Sequence, residues 1–439
     1  MWTEPLYTAE EMKRAEAGHD VASLMQRAGR AVAEEALRRF PDARSFGAVC
    51  GKGANGGDGR IALEVLRAAG KEAREGLAGD VLLDALFGTG FSGEPRPEAA
   101  AAIEQMNGAG VPILAVDIPS GVDASTGEVP GAAVRAAVTV TFHGRKVGLE
   151  VSPGRYHAGE VVVADIGLAP QQTAHARITD DVLRLVPAKR DEDSKYTAGS
   201  VLVVGGAPGL TGAACLAAMA AFRSDAGYVA VAAPPEALPV LEARLLEAVK
   251  RPLEEAFDAA GRASALALGP GLGRARDRQD LIRRLLAETD LPAVVDADGL
   301  FELEPLQRDP PTVLTPHSGE LARLLGEEST WVDAHRLEAV RRAAQRFRCT
   351  VLLKGADTLV TDCDKEGVLV HGGSPPALAT AGTGDVLTGV IAAFLAKGLD
   401  AITAAAAGAA AHARAAELAR KPRGLIASDV VEALPGAWD

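Results

Sequence analysis

The sequence predicts an α/β protein built from two tandem three-layer units. Short apolar runs alternate with helical stretches along most of the 439 residues. The alternation pauses at a charged stretch, Pro187-Ala188-Lys189-Arg190-Asp191-Glu192-Asp193, and restarts beyond it. Several runs end in Gly, Pro or Asp, as buried parallel strands do where loops leave their carboxyl ends. The units are expected at residues 1–186 and 187–439. Material for two cores is ample, since 48% of residues are hydrophobic and 24% charged.

The opening reads as helical. Thr8-Ala9-Glu10-Glu11 carries the S/T-x-x-E spacing that caps a helix reciprocally. Val21 to Phe40 sets Leu24, Ala28, Ala31, Val32 and Leu37 on one side, and Pro41 ends it. Strands are then expected at Gly47–Cys50, Val81–Leu86, Ile113–Ile118, Val138–Phe142 and Val161–Ile166, with helices at Ile61–Ala69 and Glu98–Asn107. The segment KEAREGLAGD, Lys71 to Asp80, is too polar and too short to be expected as a strand. In the second unit strands are expected at Val201–Val204, Tyr228–Ala232, Ala265–Leu268, Ala293–Val295, Thr312–Leu314 and Thr350–Leu353. The last third turns helical, with Val386, Leu387, Val390, Ile391, Phe394 and Leu395 at helical spacing.

The formal net charge of -13 argues against nucleic acid or an anionic membrane as partner. A small anionic ligand is not excluded, because local N–H groups and one Lys can hold a phosphate. The four cysteines, Cys50, Cys215, Cys349 and Cys363, form no C-x-x-C pair and suit a reducing compartment. The N-terminus lacks the pattern of a signal peptide, and no apolar run reaches the ~18 residues a membrane span needs. A cytoplasmic protein is expected.

The loop Gly51-Lys52-Gly53-Ala54-Asn55-Gly56-Gly57-Asp58-Gly59 matches G-x-G-x-x-G literally, after a strand and before a helix. A dinucleotide reading is weakened by Asp58 at the expected helix start, where a carboxylate competes with a pyrophosphate for N–H groups. A P-loop is excluded, since no Gly-Lys-Ser/Thr follows. Two more strand ends place an Asp before Gly: Asp84 in DALFGTG and Asp117 in DIPSGVD. Oxygen ligands from Asn, Asp and Ser, without clustered His or Cys, suit an alkali or alkaline-earth cation.

In the second unit, Ala379-Thr380-Ala381-Gly382-Thr383-Gly384-Asp385 opens an apolar helix, and its Gly N–H groups form an anion hole. Asp385 there can act as a base; a simple N-cap explains less of the Gly-rich loop. Lys354, in Lys354-Gly355-Ala356-Asp357-Thr358, can reach a phosphate from a strand end. His317 and Glu320 of TPHSGE can contact ligand or hydrated Mg²⁺, or merely start a helix. GPGLG, with Gly271, lets a ligand approach backbone. Asp296 and Asp298 end a further strand, where capping alone is a sufficient role.

AGTGDVLTG, KGADT, TPHSGE, GPGLG and KYTAGSVLVVGG together resemble the ADP/ATP-dependent NAD(P)H-hydrate dehydratases of the ribokinase-like superfamily. GKGANGGDG, DALFGTGFSGE and VDIPSGVDASTG resemble the NAD(P)H-hydrate epimerases, which have a Rossmann-like fold. Enzymes carrying both halves are bacterial repair enzymes for hydrated NADH and NADPH. The resemblance implies epimerisation of R and S hydrates in the first unit. In the second it implies ADP-driven dehydration of the S form, releasing AMP and phosphate. It implies Asp385 as base, with Ala213, Gly271, His317 and Asp385 on the substrate side. It places Lys354, Gly355, Thr358 and Gly384 on the nucleotide side. In the epimerase half it implies hydrate contacts at Ala54, Asn55, Asp58, Gly88, Thr89, Gly90 and Asp117, and potassium at Asn55, Asp84 and Ser120. ADP or ATP, Mg²⁺ and K⁺ are the implied small partners, and a homo-oligomer is expected, with the Ala-rich C-terminal helices available to pack between subunits.

The sequence departs from the family in three places. Ala54 stands where Asn is usual, the stretch between Gly59 and Asp84 is shortened, and Ser194 and Ser374 replace a common His and Asn. Three other readings stay open: a ribokinase-like vitamin-alcohol kinase, a dehydratase with an inactive epimerase half, and a non-catalytic NAD-binding regulator.

Overall fold

The computed structural model describes residues 2–438. Two compact units emerge, one holding Pro5–Ala176 with Asp333–His335 and the other the rest of the described chain. The charged stretch 187–193 thus lies inside the second unit, a little beyond the division between Ala176 and Arg177.

The first unit is a six-stranded, fully parallel sheet in the order Glu72–Glu75, Ser45–Cys50, Val81–Ala85, Ile113–Val116, Val138–Phe142, Glu160–Ala164. Alternation sends neighbouring side chains to opposite faces. Leu83 joins Phe46, Leu114 and Val140 beneath the helices Val21–Arg39 and Ala54–Ala68, while Leu82 joins Ile113, Ile103 and Met106 beneath Pro97–Gly108. Thr8 and Glu11 form the expected capping box on helix Ala9–Glu16. Asp20 caps the next helix by accepting from the Ala22 and Ser23 N–H groups.

Two expectations fail here. Glu72–Glu75 is a strand after all, paired in register with Ser45–Ala48. It is the sheet edge, where only Ala73 is buried and charged side chains face solvent, so polarity is no obstacle. The helix expected from Ile61 begins at Ala54, so Asp58 lies in its second turn rather than at its start. Glycines discourage helix, but these allow close packing: a Cβ on Gly56 would lie 2.0 Å from the Gly51 carbonyl oxygen.

The second sheet is mixed and has eleven strands, nine of them wholly inside the second unit. Val249–Pro252, Tyr228–Ala233, Ser200–Val204, Ala265–Leu268, Ala293–Val295, Thr312–Leu314 and Thr350–Leu353 run parallel. Asp357–Thr361 and Leu369–Gly372 follow antiparallel, then His175–Ile178 and Thr3–Leu6. Apart from the half-buried edge strand Val249–Pro252, the parallel strands are buried on both faces, as covered parallel sheets are.

One face packs against helices Thr211–Arg223, Thr383–Ala396 and Ala401–Leu418, which approach closely where small residues meet. A Cβ on Gly389 would come within 2.1 Å of the Ala217 carbonyl oxygen, and one on Gly408 within 2.5 Å of Ile391 Cγ1. The Ala-rich helix is therefore buried in its own unit, Ala404 to Ala411 included. It does not offer the inter-subunit surface expected of it. Among the described residues no helix is long and apolar enough to cross a membrane.

Candidate active sites

In each unit the first strand of the parallel sheet has later strands on both sides. Open α/β sheets bind ligands at such a switch point, beyond the carboxyl ends of the strands. In the first unit the switch lies between Ser45–Cys50 and Val81–Ala85. In the second it lies between Ser200–Val204 and Ala265–Leu268.

At the first switch point Asn55 donates from Nδ2 to the Phe87 carbonyl at 2.8 Å, tying the Gly-rich helix start to the loop after Asp84. Gly88 lies against the Asn55 side chain, where a Cβ would meet Asn55 Oδ1 at 3.3 Å. Asp84 is fully buried and accepts from the Ser120 N–H at 2.8 Å and the Ser120 hydroxyl at 2.6 Å. Burial pushes its carboxyl up to about 6, against these bonds from Ser120. No Lys or Arg pairs with Asp84 among the described residues. Asn55, Asp84 and Ser120 are thus brought together as expected, an oxygen-rich group with one buried carboxylate and no counter-ion.

Asp117 lies beside them at the end of strand Ile113–Val116, in the left-handed region with φ 66°. Its Oδ1 lies 2.7 Å from Lys146 Nζ and accepts from the Thr141 hydroxyl at 3.1 Å. Lys146 is completely buried and also donates to Thr141 Oγ1 and the Phe142 carbonyl. Lys146 has no sequence signature of its own. Asp58 is buried with Oδ1 unpartnered. Burial first, then Asp117 and Glu16, push its carboxyl up to about 8. Thr89 and Gly90 lie on the loop beyond Gly88, and Ala54 is exposed at the first helical position.

At the second switch point the loops after the two strands are laced together. Gly206 N–H donates to the Pro270 carbonyl at 3.0 Å and Ala207 N–H to the Gly271 carbonyl at 2.7 Å. Gly271 has φ +58°, and a Cβ there would lie 2.4 Å from the Leu210 carbonyl oxygen and 3.0 Å from Ala213 Cβ. Gly271 and Ala213 therefore share one wall.

The chemistry-bearing groups meet through Asp296, which is more than a cap. Its short turn gets no cap from the side chain. The buried carboxylate instead accepts from Lys354 Nζ at 2.7 Å and from the Thr388 hydroxyl at 2.7 Å. Thr388 also donates to the Gly384 carbonyl at 3.1 Å. Lys354, Asp296 and the start of helix Thr383–Ala396 are one network. A Cβ on Gly384 would come 3.3 Å from Lys354 Nζ, so the bare backbone faces the ammonium.

Asp385 occupies the third position of that helix, behind Gly382 at φ +90°. Burial, then Asp296, push its carboxyl up to about 7, against the pull of Lys354. Lys354 is held above its ordinary value: burial alone would lower it, but Asp296 and Glu320 outweigh burial.

His317 is the N-cap of helix Ser318–Leu325. Its Nδ1 accepts from the Gly319 N–H at 3.0 Å, and Glu320 accepts from the His317 N–H at 2.9 Å. The helix-start alternative is thus realised, and Glu320 still reaches within 3.9 Å of Lys354 Nζ. Gly355 lies against the Arg336 guanidinium, which donates to the carbonyls of Lys354 and Asp357 and holds that turn. Thr358 is buried in the strand Asp357–Thr361.

Residues 201–435 match the family described as NAD(P)H-hydrate dehydratase, and residues 21–78 and 71–148 match the YjeF-related protein N-terminus. The chain is 35% identical over 469 residues to the bifunctional NAD(P)H-hydrate repair enzyme Nnr of Coxiella burnetii, covering 96% of this chain and 95% of that protein. It is 33% identical to the protein of the same name from Escherichia coli K12, covering 98% and 93%. The ADP/ATP-dependent NAD(P)H-hydrate dehydratase of Bacillus subtilis, crystallised with ATP and Mg²⁺, superimposes with a TM-score of 0.55 at 29% identity, covering 59% of this chain and 96% of that one.

Proposed function

This chain belongs to the family of bifunctional NAD(P)H-hydrate repair enzymes, and from that premise we propose that its first unit epimerises R and S hydrates of NADH and NADPH while its second dehydrates the S form at the expense of ADP. The observation that carries the second half is the placement of Asp385. A carboxyl near neutral pKa stands at a Gly-lined helix start, with a lysine held beside it by Asp296.

In this reading the helix N–H groups and Lys354 receive the nucleotide phosphates, with Gly355, Thr358 and Gly384 on the same side. Ala213, Gly271 and His317 face the hydrate. Asp385 takes the proton of the ring hydroxyl as its oxygen attacks the terminal phosphoryl group of ADP, and AMP departs. The ester oxygen then leaves as phosphate, with loss of a proton from the neighbouring ring carbon, and the dihydropyridine is restored. Asp385 must start ionised, so a value near neutrality is the compromise between availability and basicity.

Two ions fit the donors present. The site around Asp385 and Glu320 has no closed metal cage, and the one cluster of three metal-ligating side chains among the described residues, Asp362, Cys363 and Asp364, lies on another loop. That suits Mg²⁺ held mainly by nucleotide phosphates, where it neutralises their charge. The buried, counter-ion-free Asp84 with Asn55 and Ser120 suits K⁺, which would supply a fixed positive charge at the hydrate site. The four free thiols accord with a cytoplasmic enzyme. A homo-oligomer remains the expected assembly and is read by light scattering after size exclusion.

The test is to incubate the protein with ADP and NADH hydrate and follow the returning NADH absorbance. Absence of recovery, with ATP-dependent phosphorylation of a vitamin alcohol instead, overturns the proposal. Supplying pure R hydrate separates a working first unit from an inactive one.

A further inference from the structure

We infer that Asp58 and Asp117 are the proton donor and proton acceptor of the epimerisation, acting on the hydroxyl-bearing ring carbon of the hydrate. This rests on the epimerase reading of the first unit and deepens it. The two carboxyls belong to one site but have opposite surroundings. Such a division of environments is how two like acids come to play unlike roles.

Asp117 is an ion-paired carboxylate. Its Oδ1 collects the Lys146 ammonium at 2.7 Å, the Thr141 hydroxyl at 3.1 Å and the Phe142 N–H at 3.4 Å. Lys146 itself has no exposure to water, so its charge is directed at Asp117 and the adjoining backbone. Asp117 is also held at φ 66°, a conformation costly for a residue with a Cβ and typical of sites that aim a side chain. Asp58 is built to stay neutral. It is 7% exposed, and its Oδ1 has no partner. Burial first, then the nearby carboxyls of Asp117 and Glu16, push it up to about 8. A buried carboxyl oxygen without a partner is a poor structural element, and a proton to give explains its retention.

The reaction needs one acid and one base. Hydration of an enamine puts the hydroxyl on the carbon attached to nitrogen. The neutral Asp58 gives its proton to that hydroxyl oxygen, the carbon–oxygen bond breaks, and the ring nitrogen lone pair forms the carbon–nitrogen double bond. Water leaves. A water molecule then adds from the opposite face, the new carbon–oxygen bond forms, and the electron pair returns to nitrogen. The proton released by the added water goes to Asp117. Nothing is oxidised or reduced, one water leaves and one enters, and the proton lost by Asp58 is gained by Asp117. Exchange with solvent resets the pair.

The test uses the full chain with purified R hydrate, without ADP, in H₂¹⁸O, with the epimers separated by chromatography. Wild-type S product is expected to carry ¹⁸O. D58N and D117N are each expected to lower kcat about 100-fold or more, with KM within a few-fold. Asn is isosteric with Asp and tolerates the left-handed backbone at position 117, so both variants keep the fold's constraints. Wild-type kcat in either variant, or unlabelled S product from the wild type, overturns the assignment. A wild type that leaves R hydrate unchanged overturns the epimerase reading itself, a separate and distinguishable result.

Discussion

Removing the Lys354 ammonium tests the network that joins the second site. In K354M, Asp296 keeps its Thr388 hydroxyl but loses a cation 2.7 Å away. At that separation, and an effective dielectric of about 20, the gross attraction is about 6 kcal/mol, largely offset by desolvation. Breaking a buried pair by deleting one partner costs about 3–5 kcal/mol. The Lys354 side chain is 20% exposed and that of Asp296 only 2%, so water relieves part of the loss and the low end applies. About 3 kcal/mol in a unit of this size lowers Tm by roughly 6–12 °C. The assay is thermal unfolding of wild type, K354M, D296N and the double variant, without ligand. The double variant should lose clearly less than the two single losses added together, because it strands no charge. Strict additivity, or a K354M transition within 2 °C of wild type by the ~2–4 °C per kcal/mol scale, refutes the network.

D385N should slow dehydration of S hydrate about 10²–10⁴-fold, and the wild-type rate should climb as pH rises through about 7, since the base must be ionised; a flat profile between pH 6 and 8, read by NADH absorbance, counts against Asp385 as that base. Asp58 and Asp385 both have folded values above their unfolded ones, so the folded chain holds protons that the unfolded chain has released. Stability should therefore fall as pH rises from about 4 to about 8 through these two groups, and equal urea midpoints at pH 6 and pH 8.5 would be the wrong outcome. G271V places a branched side chain at φ +58° with its Cβ 2.4 Å from the Leu210 carbonyl oxygen; dehydration should collapse while R-to-S interconversion persists, and unaltered dehydration kinetics would count against this wall as the hydrate's.

How much of this was legible in advance depended on whether a residue's role is local. The Gly-rich loop and helix start around Asp385 could be read because they lie together in sequence. The strand-end aspartates Asp84 and Asp117 could be read because each ends its own apolar run. Asp296 could not, since its meaning lies in Thr388, 92 residues away, and in Lys354, 58 residues away. Lys146 gave no signal because its total burial is a property of the packed unit. Glu72–Glu75 was hidden because polarity argues against a strand in a sheet's interior and says nothing at its edge. The early helix start at Ala54 was hidden because glycine's low propensity is a local cost, and the close approach to Gly51 that outweighs it is tertiary.

The small-residue contacts of helix Thr383–Ala396 have a mechanical consequence. With Gly389 against the Ala217 carbonyl and Gly408 against Ile391, the helix is clamped between two others at distances that leave no room to slide. Asp385 rides on the first turn of that clamped rod. Entry of the hydrate and escape of the repaired dinucleotide then fall to the surrounding loops, whose motion is cheap. Asp385, the base we propose, stands in place before any ligand arrives, so in that reading none of the ligand's binding energy is diverted to assembling it.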